Sequence, residues 1–282
     1  MGVETTFRER LAAAGLGDYA AALETLTRSS IRLQSELVDE PSIGIGESKL
    51  GGHPDLPSAV EWPRYADLPQ SFIAQINLAE VHRYDVDRLL PASGLLSFFY
   101  DSAQSVWGFD PREDGAWAVH YVPEGEDLIR RGPPSDLPEE GAFRAMRLNP
   151  SVELTYAPWE FSEVGALNLT RDEQFAYADL FEGGGETIHR LLGHPDPIQG
   201  DMQLECQLVS HGLYCGNSTG YNDPRAAELE PGAVDWRLLL QVDSEDDAGM
   251  MWGDVGRIYY WIHREALAAR DWHQARLVLQ CS

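Results

Sequence analysis

Apolar positions in the first thirty residues fall near helical spacing at Phe7, Leu11, Tyr19, Leu23 and Leu26, and Gly15-Leu16-Gly17 divides them into two short helices. Thr6 and Glu9 have the spacing of a capping box, which opens the first helix. Met1-Gly2 with Thr6 also fits a myristoylation pattern, and the cap is the preferred reading. From Ser30 the pattern shortens. Ile31, Leu33 and Leu37-Val38 predict a strand, and Gly44, Gly46, Gly51, Gly52, Pro54, Pro57 and Pro63 predict a long ordered loop. Phe72 to Ile76 reads as a buried strand, Leu78 to Leu90 as a helix, and Gly94 to Tyr100 and Ala116 to Val122 as two more strands. An acidic, proline-containing linker, Pro123 to Gly141, leads to Ala142 to Leu148, a strand that opens a second block.

The second block repeats the first in order. Leu50-Gly51-Gly52-His53-Pro54-Asp55 is echoed by Leu191-Leu192-Gly193-His194-Pro195-Asp196, an offset of 141 from His53 to His194. Ile73-Ala74-Gln75-Ile76-Asn77 is echoed by Leu239-Leu240-Gln241-Val242-Asp243, an offset of 166 from Gln75 to Gln241. Gly94 to Phe99 is echoed by Gly256 to Trp261, an offset of 162. The growth in offset puts about 25 extra residues between Pro195 and Gln241, where insertions map to loops. The expected fold is α+β with mostly antiparallel sheets: a helical cap over 1–29, then two versions of one β-rich unit over 30–141 and 142–282, each burying the face the other exposes. Gln75 with Asn77, and Gln241 with Asp243, fall on one strand face each and predict a polar seam that fixes how the units pair.

Charge narrows the possible partners. There are 46 acidic and 21 basic side chains, a net charge of -25, so free nucleic acid and anionic membrane surfaces are repelled and a basic protein or peptide is attracted. No stretch reaches the roughly 18 apolar residues of a membrane span, and the N-terminus lacks a basic segment followed by an apolar run. Three cysteines, Cys206, Cys215 and Cys281, argue against a disulfide framework and for a reducing cytoplasm. Lys49 is the one lysine.

Several constellations carry possible chemistry. In the Gly-Gly-His-Pro-Asp loop, Gly51 and Gly52 permit close backbone approach and Pro54 restricts His53, which suits either a ligand-presenting loop or a structural turn, and its recurrence with Gly193 and Pro195 favours the turn. Lys49 supplies a positive point there, for a ligand carboxylate or an acidic neighbour. Asp243, Glu245, Asp246, Asp247 and Asp254 form the densest carboxylate group, next to Met250, Met251 and Trp252, with Gly253 and Gly256 as structural positions. Flexible apolar side chains beside acids suit an amphipathic basic peptide, although both methionines and the tryptophan equally suit a core. Cys206, His211 and Cys215, with Cys281 or His273 from afar, have zinc-ligand chemistry but no strong zinc spacing, and no metal or other cofactor is expected. Gly216-Asn217-Ser218-Thr219-Gly220 fits a nucleophile pattern, with Asp243 and His263 or His273 downstream, but polar turn residues replace the required strand and helix.

Ser48-Lys49-Leu50-Gly51-Gly52 with Pro54, Ala74-Gln75-Ile76-Asn77, Leu192-Gly193-His194-Pro195-Asp196 with Gln199, and Met250 to Tyr259 resemble the YwqG-like family, a bacterial domain of unknown function. That resemblance covers about Ser48 to Ile262 and implies an internally duplicated α+β fold. It also implies distant kinship to eukaryotic programmed cell death protein 2, whose relatives are chaperones of a ribosomal protein, while some bacterial members look like toxin-immunity proteins. Pro197 stands where many relatives carry an aromatic residue. The expected function is non-catalytic binding of a basic protein or segment. The alternative is an enzyme acting on nucleotide or RNA through Lys49, His53 and His194.

Overall fold

Large apolar side chains on both faces of the strands, rather than on one, shape this molecule. The computed structural model describes residues 6–181 and 187–282. Its strands are β1 (Arg28–Leu37), β2 (Lys49–Leu50), β3 (Asp55–Pro57), β4 (Arg64–Tyr65), β5 (Leu68–Pro69), β6 (Ser71–Asn77), β7 (Leu95–Tyr100), β8 (Trp117–Val122), β9 (Leu128–Arg130), β10 (Met146–Thr155), β11 (His189–Leu191), β12 (Trp236–Asp243), β13 (Arg257–His263) and β14 (Arg276–Gln280). Helices α1 (Phe7–Ala13), α2 (Ala20–Thr25), α3 (Leu78–Val81), α4 (Ser162–Gly165), α5 (Arg171–Ala178), α6 (Gln203–Ser210), α7 (Ser218–Tyr221), α8 (Ala226–Leu229) and α9 (Arg264–Ala269) are short. None is long and apolar enough to cross a membrane among the described residues.

Ten strands form one antiparallel sheet in the order β14-β13-β12-β11-β1-β10-β2-β6-β7-β8, and β3-β9 and β4-β5 form two small ribbons. The order reads alike in both directions from the central β1·β10 pair: a strand of two or three residues, then three longer ones. A register irregularity falls between Phe72 and Ala74 on one side and between Leu238 and Leu240 on the other. Right-handed twist and these bulges curl the sheet until its ends meet. There the Trp117 indole donates to the Ala275 carbonyl at 2.7 Å, the Leu279 amide to the Trp107 carbonyl at 3.1 Å, and the Tyr260 hydroxyl to the Phe99 carbonyl at 3.0 Å.

Phe98, Tyr100, Ile258 and Tyr260 point into the shared interior, while Phe99, Tyr259 and Trp261 point outward. The outward row of β12–β14 is covered by α6 through Met202 and Cys206, and that of β6–β7 by Leu56 with Trp62. Each such aromatic contributes about 2–3 kcal/mol by leaving water. The N-terminal capping box forms, with the Thr6 hydroxyl accepting from the Glu9 amide. Leu11 and Leu23 of the first two helices, with Leu16 between them, pack on Ala157, Val164, Leu169 and Tyr177. Met1 and Gly2, on which the myristoylation pattern rests, lie outside the described residues.

One expectation needs correction. The helix over Leu78 to Leu90 ends at Val81, because the Asp85 carboxylate accepts from the Leu89 and Leu90 amides and Arg88 turns to φ 54°, which folds the chain back. β1 pairs with β11, and β10 pairs with β2, so the ten strands share one interior.

Candidate functional site

The loop after β2 turns because Gly51 and Gly52 take φ of +59° and +71°, and a Cβ on Gly51 would lie 2.3 Å from the Arg144 carbonyl oxygen. The turn returns Asp55 to the side of Lys49. Lys49 Nζ, fully buried, lies 3.6 Å from Asp55 Oδ2 and 3.4 Å from Glu40 Oε1. Arg130 Nε sits 2.9 Å from Asp55 Oδ1. Gln75 reads both sides of Asp55, accepting from its amide at 2.8 Å and donating to its carboxylate at 2.7 Å. Glu40 accepts from the His53 amide at 2.6 Å and lies 3.2 Å from His53 Nδ1. Burial pushes the Asp55 carboxyl up, but Arg130, the Gly46 amide, Gln75 and Lys49 outweigh it and hold the group below its ordinary value. Burial, aided by Arg130, pushes Lys49 down despite Asp55 and Glu40. Lys49 therefore meets only internal partners, and Gly51, Gly52 and Pro54 serve this turn.

The loop after β11 repeats the skeleton with other side chains. Arg190 takes the place of Lys49, 3.0 Å from Asp196 Oδ2 and 3.2 Å from Glu153 Oε2. Gln241 accepts from the Asp196 amide at 2.9 Å and donates to its carboxylate at 3.2 Å. Gln75 also donates to the Glu47 carbonyl, and Gln241 to the Ile188 carbonyl, again 141 residues apart. Leu192 and Gly193, ahead of Pro195, hold φ of 60° and 74°. His194 is buried, with Nε2 2.7 Å from the Leu26 carbonyl and its ring edge-on to Phe161. Burial, with Arg28 nearby, pushes its pKa down to about 3, so the ring is neutral. His53 and His194 thus stand in separate loops with separate partners.

The acidic run divides. Asp243 takes the Ile188 amide at 2.9 Å and pairs with Arg257 Nε at 3.0 Å. Glu245 accepts from Ser35 Oγ at 2.8 Å and lies 3.5 Å from His189 Nε2; the His189 hydrogen bond, against burial and with help from Ser35, lowers its carboxyl. Met250 and Trp252 are in the core, and the Trp252 indole donates to the Asp243 carbonyl at 3.1 Å. Gly253 and Gly256 pass close to Cys281. Asp246, Asp247, Met251 and Asp254 are left facing solvent. Of the residues expected to meet a partner, these and half-exposed His53 are the exposed ones.

Asn77 donates from its amide to Ser48 Oγ and caps α3 with its side chain, while the Asp243 amide donates to His189 Nδ1. Ser218 opens α7 behind the Asn217 cap, whereas His263 caps α9 and Asp243 is held by Arg257, so these groups do not assemble as a triad. Cys206, Cys215 and Cys281 are free and buried, and burial pushes the Cys215 thiol up to about 11. Among the described residues no group of three or more His, Cys, Asp or Glu side chains is placed to hold a metal ion.

Sequence reasoning missed Glu40, Arg130, Glu153 and Arg190, the partners that complete both turns; the offset of 141 from Lys49 to Arg190 was the available signal. It also missed an open cleft of about 500 Å³ between α3 and the edge of β10, lined by Glu47, Ser48, Glu80, Arg83, Leu148 and Pro150. In the other half, Ser35, His189 and Glu245 bind one another beside the edge of β1.

A family model described as a domain of unknown function, DUF1963, matches residues 48–281. No curated protein matches the chain.

Proposed function

The chain belongs to the DUF1963 family, and we propose that it is a non-catalytic, cytoplasmic binding protein that recognises a basic protein or segment, in a chaperone-like or toxin-immunity role. The observation that carries this reading is the direction in which its charges face. Lys49, Arg130, Arg190 and Arg257 are held in internal ion pairs, whereas Asp246, Asp247 and Asp254 face water on a chain of net charge -25. An anionic surface steers a cationic partner and raises its encounter rate, most strongly at low salt. The enzyme reading has less support, because Lys49, His53 and His194 have internal partners in two separate loops.

Two further readings belong with this one. The matched turns, bulges and strand order support descent of 30–141 and 142–282 from one duplicated unit, with 1–29 as a helical cap, in keeping with the YwqG-like resemblance. The programmed cell death protein 2 kinship gives the same class of guest, a basic protein. The test is a pull-down from native lysate at low and high salt with the retained proteins identified. Basic proteins retained at low salt and released at high salt are expected; retention of none overturns the proposal.

A further inference from the structure

A stretch of β10 has no strand beside it on one side among the described residues, and its geometry specifies a guest. β2 pairs with β10 only through Leu50↔Met146 and Lys49↔Arg147, and the Leu148 amide adds one last bond to the Ser48 carbonyl at 3.3 Å. Beyond this point β10 runs to Thr155 with β1 on its other side. Main-chain groups alternate sides along an antiparallel strand. Leu148 points toward β2, so Pro150, Val152 and Leu154 point the same way, into an edge with no strand beside it among the described residues. Pro150 has no N–H, but Val152 and Leu154 each present a donor and an acceptor. Val152 and Leu154 are 59% and 50% exposed, next to β1 residues of which Ile31 is buried. Free edges of this kind are templates for an added strand.

The edge also has an entrance and a charge. The cleft of about 500 Å³ opens where β2 stops, between Leu148 and Pro150 on one side and Ser48 and Glu80 on the other. Glu47 and Glu80 stand at its mouth with Arg83 and Arg147, so the cleft lining is balanced in charge and the preference for a cation comes from the chain as a whole. A second copy of the chain would bring another -25 charges to the same edge, so self-pairing is opposed and a cationic strand is favoured. On the corresponding stretch of β1 the Ser35 hydroxyl is taken by Glu245.

We infer that β10 is a docking edge for an extended segment of a partner, alternately apolar and basic, that continues the row begun by β2. Its apolar side chains lie on Val152 and Leu154 and its basic ones toward Glu47 and Glu80. This rests on the proposed function and assigns it a surface.

The probe is a short synthetic peptide of alternating valine and lysine or arginine, with a valine and glutamate twin, added to the full chain at low salt. Anisotropy should show binding of the basic peptide and not of its twin. Residue-resolved amide exchange should slow at least about tenfold at Val152 and Leu154 on binding, while Ser151 and Glu153, bonded to β1, stay unchanged. Val152→Pro removes one edge donor without touching the β1 ladder and should weaken binding about tenfold, the worth of roughly one well-made main-chain bond. Binding without protection at Val152 and Leu154, or undiminished binding by a folded Val152→Pro chain, overturns the β10 site and leaves the proposed function standing. No binding of the basic peptide overturns both. Concentration-dependent protection of the same two amides without peptide identifies a second copy as the occupant and overturns the inference. The exchange measurement needs no variant, so it decides even if Val152→Pro does not fold.

Discussion

The turns around Asp55 and Asp196 share a hydrogen-bond skeleton and differ in how much water they admit. Asp55 is sealed, with a lysine and an arginine against it. The Asp196 side chain keeps 33% of its surface in solvent, and Arg190, the guanidinium paired with its carboxylate, has Glu153 as a second anion. A lysine is a point charge that needs several nearby acceptors, whereas the arginine fork meets two carboxylates at once. The same backbone turn thus tolerates two electrostatic solutions: in the first a lysine and an arginine share Asp55 and Glu40, and in the second one guanidinium spans Asp196 and Glu153.

The sharpest way to break this comparison is to remove each aspartate. Asp55→Ala removes the fully buried carboxylate between Lys49 and Arg130, leaves both cations on the more distant Glu40, and should cost about 3–5 kcal/mol. Asp196→Ala leaves Arg190 on Glu153 and should cost only about 1–2 kcal/mol. Urea denaturation at neutral pH measures both; equal losses would show that the difference in solvation has no energetic weight.

Next in size is the turn itself. Gly51→Ala puts a methyl onto the Arg144 carbonyl in a left-handed conformation and should destabilise by about 2–4 kcal/mol. The corresponding position of the other turn already carries a side chain, Leu192, at φ 60°. A thermal shift for Gly51→Ala no larger than that of an exposed substitution would contradict the packing.

The two loops also differ in their response to acid. Burial lowers the His194 pKa from 6.5 to about 3, so the unfolded chain binds a proton there that the folded chain does not. Stability from this group is complete above about pH 6.5 and is lost as pH falls toward 3, at up to about 1.4 kcal/mol per pH unit. His194→Gln should flatten that part of the stability–pH curve. An unchanged slope would mean that the ring is not buried.

The smallest effect concerns the two strand edges. Glu245→Gln keeps a hydrogen bond to Ser35 and weakens that to His189, for a loss of about 0.5–1.5 kcal/mol in chemical denaturation. Amide exchange near Ser35 should rise with it. No change there would show that Glu245 does not guard the β1 edge.

Much of this was legible in the chain because strands and tight turns are local. The segments read as strands over Phe72–Ile76, Gly94–Tyr100 and Ala116–Val122 coincide with β6, β7 and β8 to within a residue or two. The repeated Gln75 and Gln241 identified two matching places in the ladder, opposite Lys49 and Arg190. The helix over Leu78 to Leu90 was not legible, since Asp85 ends it through its own side chain. Nor was the fate of the acidic run, because nothing local separates Glu245, which lies under Ser35, from exposed Asp246.

The sequence by itself determined the turns, the strand segments and the sign of the surface charge, because φ preferences, side-chain alternation and ionisation depend on residue type and near neighbours. Long-range packing decided that β1 and β10 pair at the centre of one sheet, that Lys49 is sealed rather than offered to a ligand, and that β10 has no strand beside Val152 and Leu154 among the described residues. These outcomes depend on which distant segments pack together, and the free energy of burying or pairing a group is set by those neighbours rather than by the group.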